Sequence, residues 1–173
     1  VQSAATNSVL VKASSEPQSL LKISDFEEPP VLDKNPALKL AWQQFVADGR
    51  YRLARVADMK FSEPAKHRIN ESFGWWEIGY PFDQECAVIV VDKSRSDPER
   101  FGIVVFRPVY RGDTKASYTQ HWLFRERDLS KTALTSPSGY LFISEFGEGE
   151  SYKTCEVKWS SRRNNYVCLP MKN

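Results

Sequence analysis

From Cys86 to the C-terminus the chain is a succession of short β-branched and aromatic runs separated by polar turns, with no helical periodicity between them. Parallel strands need a long, usually helical crossover, so this pattern restricts the second half of the chain to antiparallel pairing. Residues 86–91 (Cys-Ala-Val-Ile-Val-Val) and 101–106 (Phe-Gly-Ile-Val-Val-Phe) flank a polar loop containing Asp97 and Pro98. They predict an antiparallel pair with both faces covered. Further strands are expected at residues 117–124 and 139–146, the second entered through a Ser-Pro-Ser-Gly turn. The final hairpin is written most plainly: Cys155, Val157 and Trp159 alternate with Thr154, Glu156 and Lys158. A turn at 161–164 then returns the chain along 165–169.

One helix precedes these strands. Asn35 offers a side-chain acceptor to the free N–H groups of a first turn, and Pro36 stands where a missing donor costs nothing. Leu38, Ala41, Trp42, Phe45 and Val46 recur at the three-four spacing of a buried face, and Gly49 supplies the left-handed stop. Residues 51–56 alternate as a first strand. Residues 58–84, punctuated by Pro64, Gly74, Gly79 and Pro81, read as an irregular connection with a short helix near 66–70.

These elements predict an α+β fold in which one N-terminal amphipathic helix packs on a curved antiparallel sheet of about six or seven strands. A β-sandwich or barrel with an appended helix is the alternative. At 173 residues the chain fits one core, and residues 35–173 are expected to form a single domain. Residues 1–34, rich in Ser and Ala and closing on Phe-Glu-Glu-Pro-Pro, read as an extended tail or linker. Such a segment buries too little to offset an ordering cost of roughly 1–2 kcal/mol per residue. Another protein chain is therefore expected to contact it.

Charge narrows the partners. The net charge is +2, with 11 basic and 13 acidic residues up to Lys93 and 13 basic and 9 acidic beyond it. Signs alternate in Arg125-Glu126-Arg127-Asp128, so the concentrated basic face of a nucleic-acid binder is not expected. Trp122, Arg125, Trp159 and Arg163 are the residues a single-strand platform would use, and their acidic neighbours count against it. No run approaches the roughly 20 apolar residues of a membrane-spanning helix. The start at Val1, without Met, reads as a processed mature terminus, and the expected location is periplasmic or secreted, with a signal peptide removed.

If Val157 faces Tyr166 in the last hairpin, Cys155 falls opposite Cys168 on the same face and a disulfide is expected. Cys86, flanked by Asp83 and Glu85 and followed by an apolar run, reads as a small buried hydrophobe rather than a nucleophile. His67 and His121 stand far apart, and no Cys-x-x-Cys or His-x-x-x-His occurs, so no metal or cofactor is expected. Glu145, Glu148 and Glu150 around Gly147 and Gly149 lack calcium-loop spacing and read as a solvated hairpin tip. Phosphate-loop, dinucleotide and Gly-x-Ser-x-Gly patterns are missing, and no catalytic residue is assigned.

Residues 73–82 pack five aromatic rings between flexible residues. In a loop, Trp75, Trp76 and Tyr80 would form a binding surface for a sugar or a protein; as a lid they would simply cover the sheet. Arg111-Gly112-Asp113 reads as a turn with glycine at the bend, and Asn70-Glu71-Ser72 as a glycosylation acceptor pattern. The function these features predict is a non-catalytic structural or interaction subunit of an extracytoplasmic assembly, docking through the N-terminal tail. A secreted or periplasmic ligand-binding module, carbohydrate-binding included, is the second expectation, and a hydrolase with dispersed acidic residues the third.

Overall fold

The computed structural model describes residues 26–66, 69, 73–80, 83–135, 140–147 and 152–171, with the backbone alone for 76–80, 83, 84, 116 and 152. Helix α1 (Pro36–Val46) starts as its sequence dictates: the Asn35 side chain accepts from the Leu38 N–H at 3.1 Å, and its own amide donates to the Tyr118 hydroxyl. Gly49 adopts φ 71° just past its end. Leu38, Ala41 and Trp42 are buried, with Phe45 and Val46 packed at their margin. A second helix, α2 (Glu63–Lys66), is a single turn.

The strands are β1 (Tyr51–Leu53), β2 (Trp75–Tyr80), β3 (Asp83–Asp92), β4 (Phe101–Arg111), β5 (Thr114–Arg127), β6 (Thr132–Thr135), β7 (Phe142–Phe146), β8 (Tyr152–Ser160) and β9 (Asn165–Pro170). They form two antiparallel sheets, neither closed, and not the single curved sheet expected. One sheet runs β1-β3-β4-β5, with β2 sharing the outer edge of β3 with β1; the other runs β6-β7-β8-β9. Periodicity reports which strands are covered on both faces but not by what, and here the two covers differ.

Alternation along β3 and β4 divides two cores. Cys86, Val88, Val90, Val104 and Phe106 pack with Leu38, Ala41 and Trp42 of α1. Ala87, Ile89, Val91, Ile103 and Val105 pack with Leu134, Ile143, Val157 and Tyr166 of the second sheet. The result is three layers, helix, five-stranded sheet and four-stranded sheet, with the middle layer apolar on both faces.

Four more expectations need correction. Residues 26–34 are not a free linker: Pro30–Lys34 form a 3-10 turn, Val31 and Leu32 are buried in the helix-side core, and Glu27 pairs with Arg55 at 2.9 Å. Residues 75–80 are a strand and not a loop, because β3 supplies a hydrogen-bonding edge that overrides Gly74 and Gly79. The strand beginning at Tyr51 ends at Leu53, where a 3-10 turn over Val56–Asp58 begins, fixed by Asp58 accepting from the Arg55 N–H. Strand β6 lies in a stretch assigned no element from sequence. No helix among the described residues is long and apolar enough to cross a membrane.

The last hairpin forms, in a register two residues from that expected: Trp159 faces Tyr166 and Val157 faces Cys168. Its four-residue loop spans 161–164, where the turn was expected, with Asn164 at φ 47°, and it sets Ser160 opposite Asn165. A shift of two preserves the face, so Cys155 and Cys168 become diagonal neighbours with Cα atoms 5.4 Å apart, joined as the expected disulfide.

Candidate functional site

The densest gathering of chemically versatile side chains lies where the two sheets meet. Glu85 precedes the apolar run of β3 and shares the alternation of Ala87, Ile89 and Val91, so it enters the inter-sheet face as a charge. The ladder pairing Cys86 with Phe106 brings Arg107 beside it, and Arg107 in turn faces Thr119 of β5. Arg107 Nη1 donates to Glu85 Oε1 at 2.9 Å and to the Tyr166 hydroxyl at 3.3 Å. From the opposite sheet, the Trp159 ring lies beneath the guanidinium, 3.9 Å from its carbon to the ring centre. His121 approaches Trp159 and Tyr166 edge-on, with ring centres 5.1 and 5.9 Å away, and its Nε2 lies 3.1 Å from Thr119 Oγ1.

Electrostatics follow from the burial. Desolvation, reinforced by the Glu85 carboxylate that accepts from its hydroxyl, pushes Tyr166 far above the ordinary phenol range. Burial and then the Arg107 charge hold His121 below its usual value, favouring the neutral ring. The acid is neutralised by an adjacent guanidinium and the phenol keeps its proton. The arrangement holds protons and charges in fixed places and fastens one sheet to the other.

A second aromatic group caps the helix side. Phe45 stacks on Tyr51 at 5.0 Å, and Trp122 lies 5.4 Å from Tyr51 and 5.8 Å from Phe45. Trp122 occupies the space left by Gly102, where a Cβ would stand 2.6 Å from Trp122 Cζ3. The Arg125 guanidinium covers Trp122 at 5.1 Å and donates to the Tyr51 hydroxyl at 3.3 Å.

Of the binding residues expected from sequence, Trp75 stands at the head of β2, half-buried, with the Phe26 ring edge-on at 6.2 Å. Trp76 and Tyr80 follow on the same strand, and their side chains lie outside the described residues. Trp122 and Arg125 do meet, but Trp159 belongs to the inter-sheet cluster and Arg163 to the exposed β8–β9 turn, so the four share no common face. Cys86 is buried and takes no part in the disulfide. Gly112, at φ 60°, opens the two-residue turn between β4 and β5, as its sequence implied. Glu145 is exposed on β7, while Glu148 and Glu150, His67, and residues 70–72 lie outside the described residues. Among the described residues no group of three His, Cys, Asp or Glu could hold a metal ion.

Sequence reading missed the Glu85–Arg107–Tyr166 group. Its signal was there: Glu85 and Arg107 are charged residues in phase with the core positions of two apolar strands. No family model, curated protein or solved structure matches this chain.

Proposed function

We propose that the chain is a non-catalytic structural or interaction subunit of an assembly outside the cytoplasm, docking on another protein through its N-terminal segment. The observation that carries this reading is the anchoring of residues 26–34. Phe26 rests on Trp75, Glu27 is held by Arg55, and Val31 and Leu32 enter the core, so whatever residues 1–25 bind is coupled to the body of the domain. The Cys155–Cys168 disulfide supports an oxidising compartment. The internal pairing of Glu85, Arg107 and Tyr166 supports a structural role for the residues that catalysis would otherwise use.

The carbohydrate-binding reading has less support, because Phe26 covers one approach to Trp75. The hydrolase reading loses Glu85, the most buried glutamate among the described residues, to Arg107. Cross-linking of the full chain in its native source, followed by mass spectrometry, tests the leading reading. Cross-links from Lys12 or Lys22 to one other protein are the expected result. Recovery of the chain alone, cross-linked only to itself, overturns it.

A further inference from the structure

We propose that the seam where β5 meets the second sheet is a proton-sensitive latch, closed while His121 is neutral and loosened when its ring takes up a proton. The two sheets approach one another along two margins. At one margin a backbone bond crosses, the Leu134 N–H of β6 donating at 2.8 Å to the carbonyl of Phe73, just before β2. At the other, side chains make the crossing. Asn165 Nδ2 donates to the Trp122 carbonyl at 3.2 Å, and the His121 ring stands edge-on to Trp159 and Tyr166. A seam held in this way responds to a change of charge on one ring.

His121 is half-buried, and its surroundings are ill suited to a second positive charge. From β4 comes the Arg107 guanidinium, and from β3 the Glu85 carboxylate, which already accepts from Arg107 and from the Tyr166 hydroxyl. From β8 comes Trp159, with Arg107 lying over its ring, and from β9 comes Tyr166, which keeps its proton. Glu156 and Lys158 bond each other, and alternation puts them on the opposite face of β8. Arg162 and Arg163, exposed in the turn between β8 and β9, add positive charge only. On β5 itself the ring meets Thr119, whose uncharged hydroxyl lies 3.1 Å from Nε2. A proton on His121 thus sets cation beside cation in a partly dry place, where the carboxylate of the cluster is already engaged.

Burial and then the Arg107 charge favour the neutral ring in the closed seam. An open seam returns the ring to water and to an ordinary value of about 6.5. As pH falls through that value the open form takes up the proton ahead of the closed one. Stability present above it is therefore lost toward the depressed closed value. The latch is independent of the partner proposed above.

Hydrogen exchange of the full chain at pH 7 and pH 5, corrected for the intrinsic rate at each pH, reads the seam. Residues 117–124 and 165–169 are expected to open about threefold or more readily at the lower pH, with 87–91 unchanged. His121→Gln, neutral at both pH values and able to meet Thr119, is expected to abolish the difference with His67 left in place. NMR titration of the two histidines of the unaltered chain should find His121 below the ordinary range. Equal opening of the seam at both pH values overturns the proposal, as does a difference that persists in His121→Gln. A His121 that titrates at or above about 6.5 overturns it as well.

Discussion

The guanidinium carbon of Arg107 on β4 lies over the Trp159 ring on β8, 3.9 Å from the ring centre, and is one of the polar ties between the two sheets. The same guanidinium reaches Glu85 in its own sheet and Tyr166 in the other. One cation thus hydrogen-bonds a carboxylate and covers an indole ring at once, a combination that suits a planar guanidinium better than a lysine ammonium.

Arg107→Met should therefore cost more than a surface substitution. It leaves the Glu85 carboxylate, 11% exposed, without its cation, and a loss of about 3 kcal/mol is expected because Arg107 itself remains 31% exposed. Arg107→Lys should recover only part of this. Replacing both partners, Glu85→Leu with Arg107→Met, should cost clearly less than the two single losses added together. Urea denaturation midpoints of the four variants check the cycle.

Gly102→Ala tests the packing of Trp122. The new methyl would stand 2.6 Å from Trp122 Cζ3 and 3.1 Å from the Phe124 carbonyl oxygen, and the second neighbour is backbone that cannot swing aside. Overpacking of this kind costs about 1–3 kcal/mol. A lowered thermal midpoint should accompany a change in tryptophan emission as the ring leaves Tyr51 and Phe45.

The disulfide should be worth about 3 kcal/mol in the chain-entropy account, since it closes a short loop with a sequence separation of 13. Denaturation of the Cys155→Ser, Cys168→Ser double variant against the parent measures this. Non-reducing peptide mapping should recover the two cysteines in one linked pair and Cys86 as a free thiol.

Asp92 sets an acid limb to stability. The Arg50 hydrogen bond, helped by the Ser94 hydroxyl and N–H and opposed by burial, holds its carboxyl well below the usual range. As pH falls below about 4 the unfolded chain takes up this proton first, so stability present above that pH is lost through the depressed folded value. Asp92→Asn should cost about 2 kcal/mol at pH 7. The gap between parent and variant should shrink steadily below pH 4 in stability measured against pH.

Much of the fold could be read locally, and the remainder depended on distance. Asn35, Pro36 and Gly49 mark the ends of α1 by capping chemistry that needs no other part of the chain. The runs of β3 and β4 announce strands by composition. What covers each face does not show, because Val88 and Ile89 are equally apolar yet one meets a helix and the other a sheet. Strand β2 was hidden by glycines whose local preference is overridden by the β3 edge. The cysteine pairing survived a wrong register because parity, not position, decides the face. The Glu85 cluster was illegible as a group, since its members come from β3, β4, β5, β8 and β9 and meet only once every register is set.

The alternation along β3 has an evolutionary side. Even-numbered positions such as Val88 and Val90 answer only to the helix layer, and odd-numbered ones such as Ile89 and Val91 only to the second sheet. A wall shared by two rooms in this way lets drift refurnish either side without disturbing the other. A slip of one residue would empty both at once, so this strand tolerates substitution far more readily than insertion.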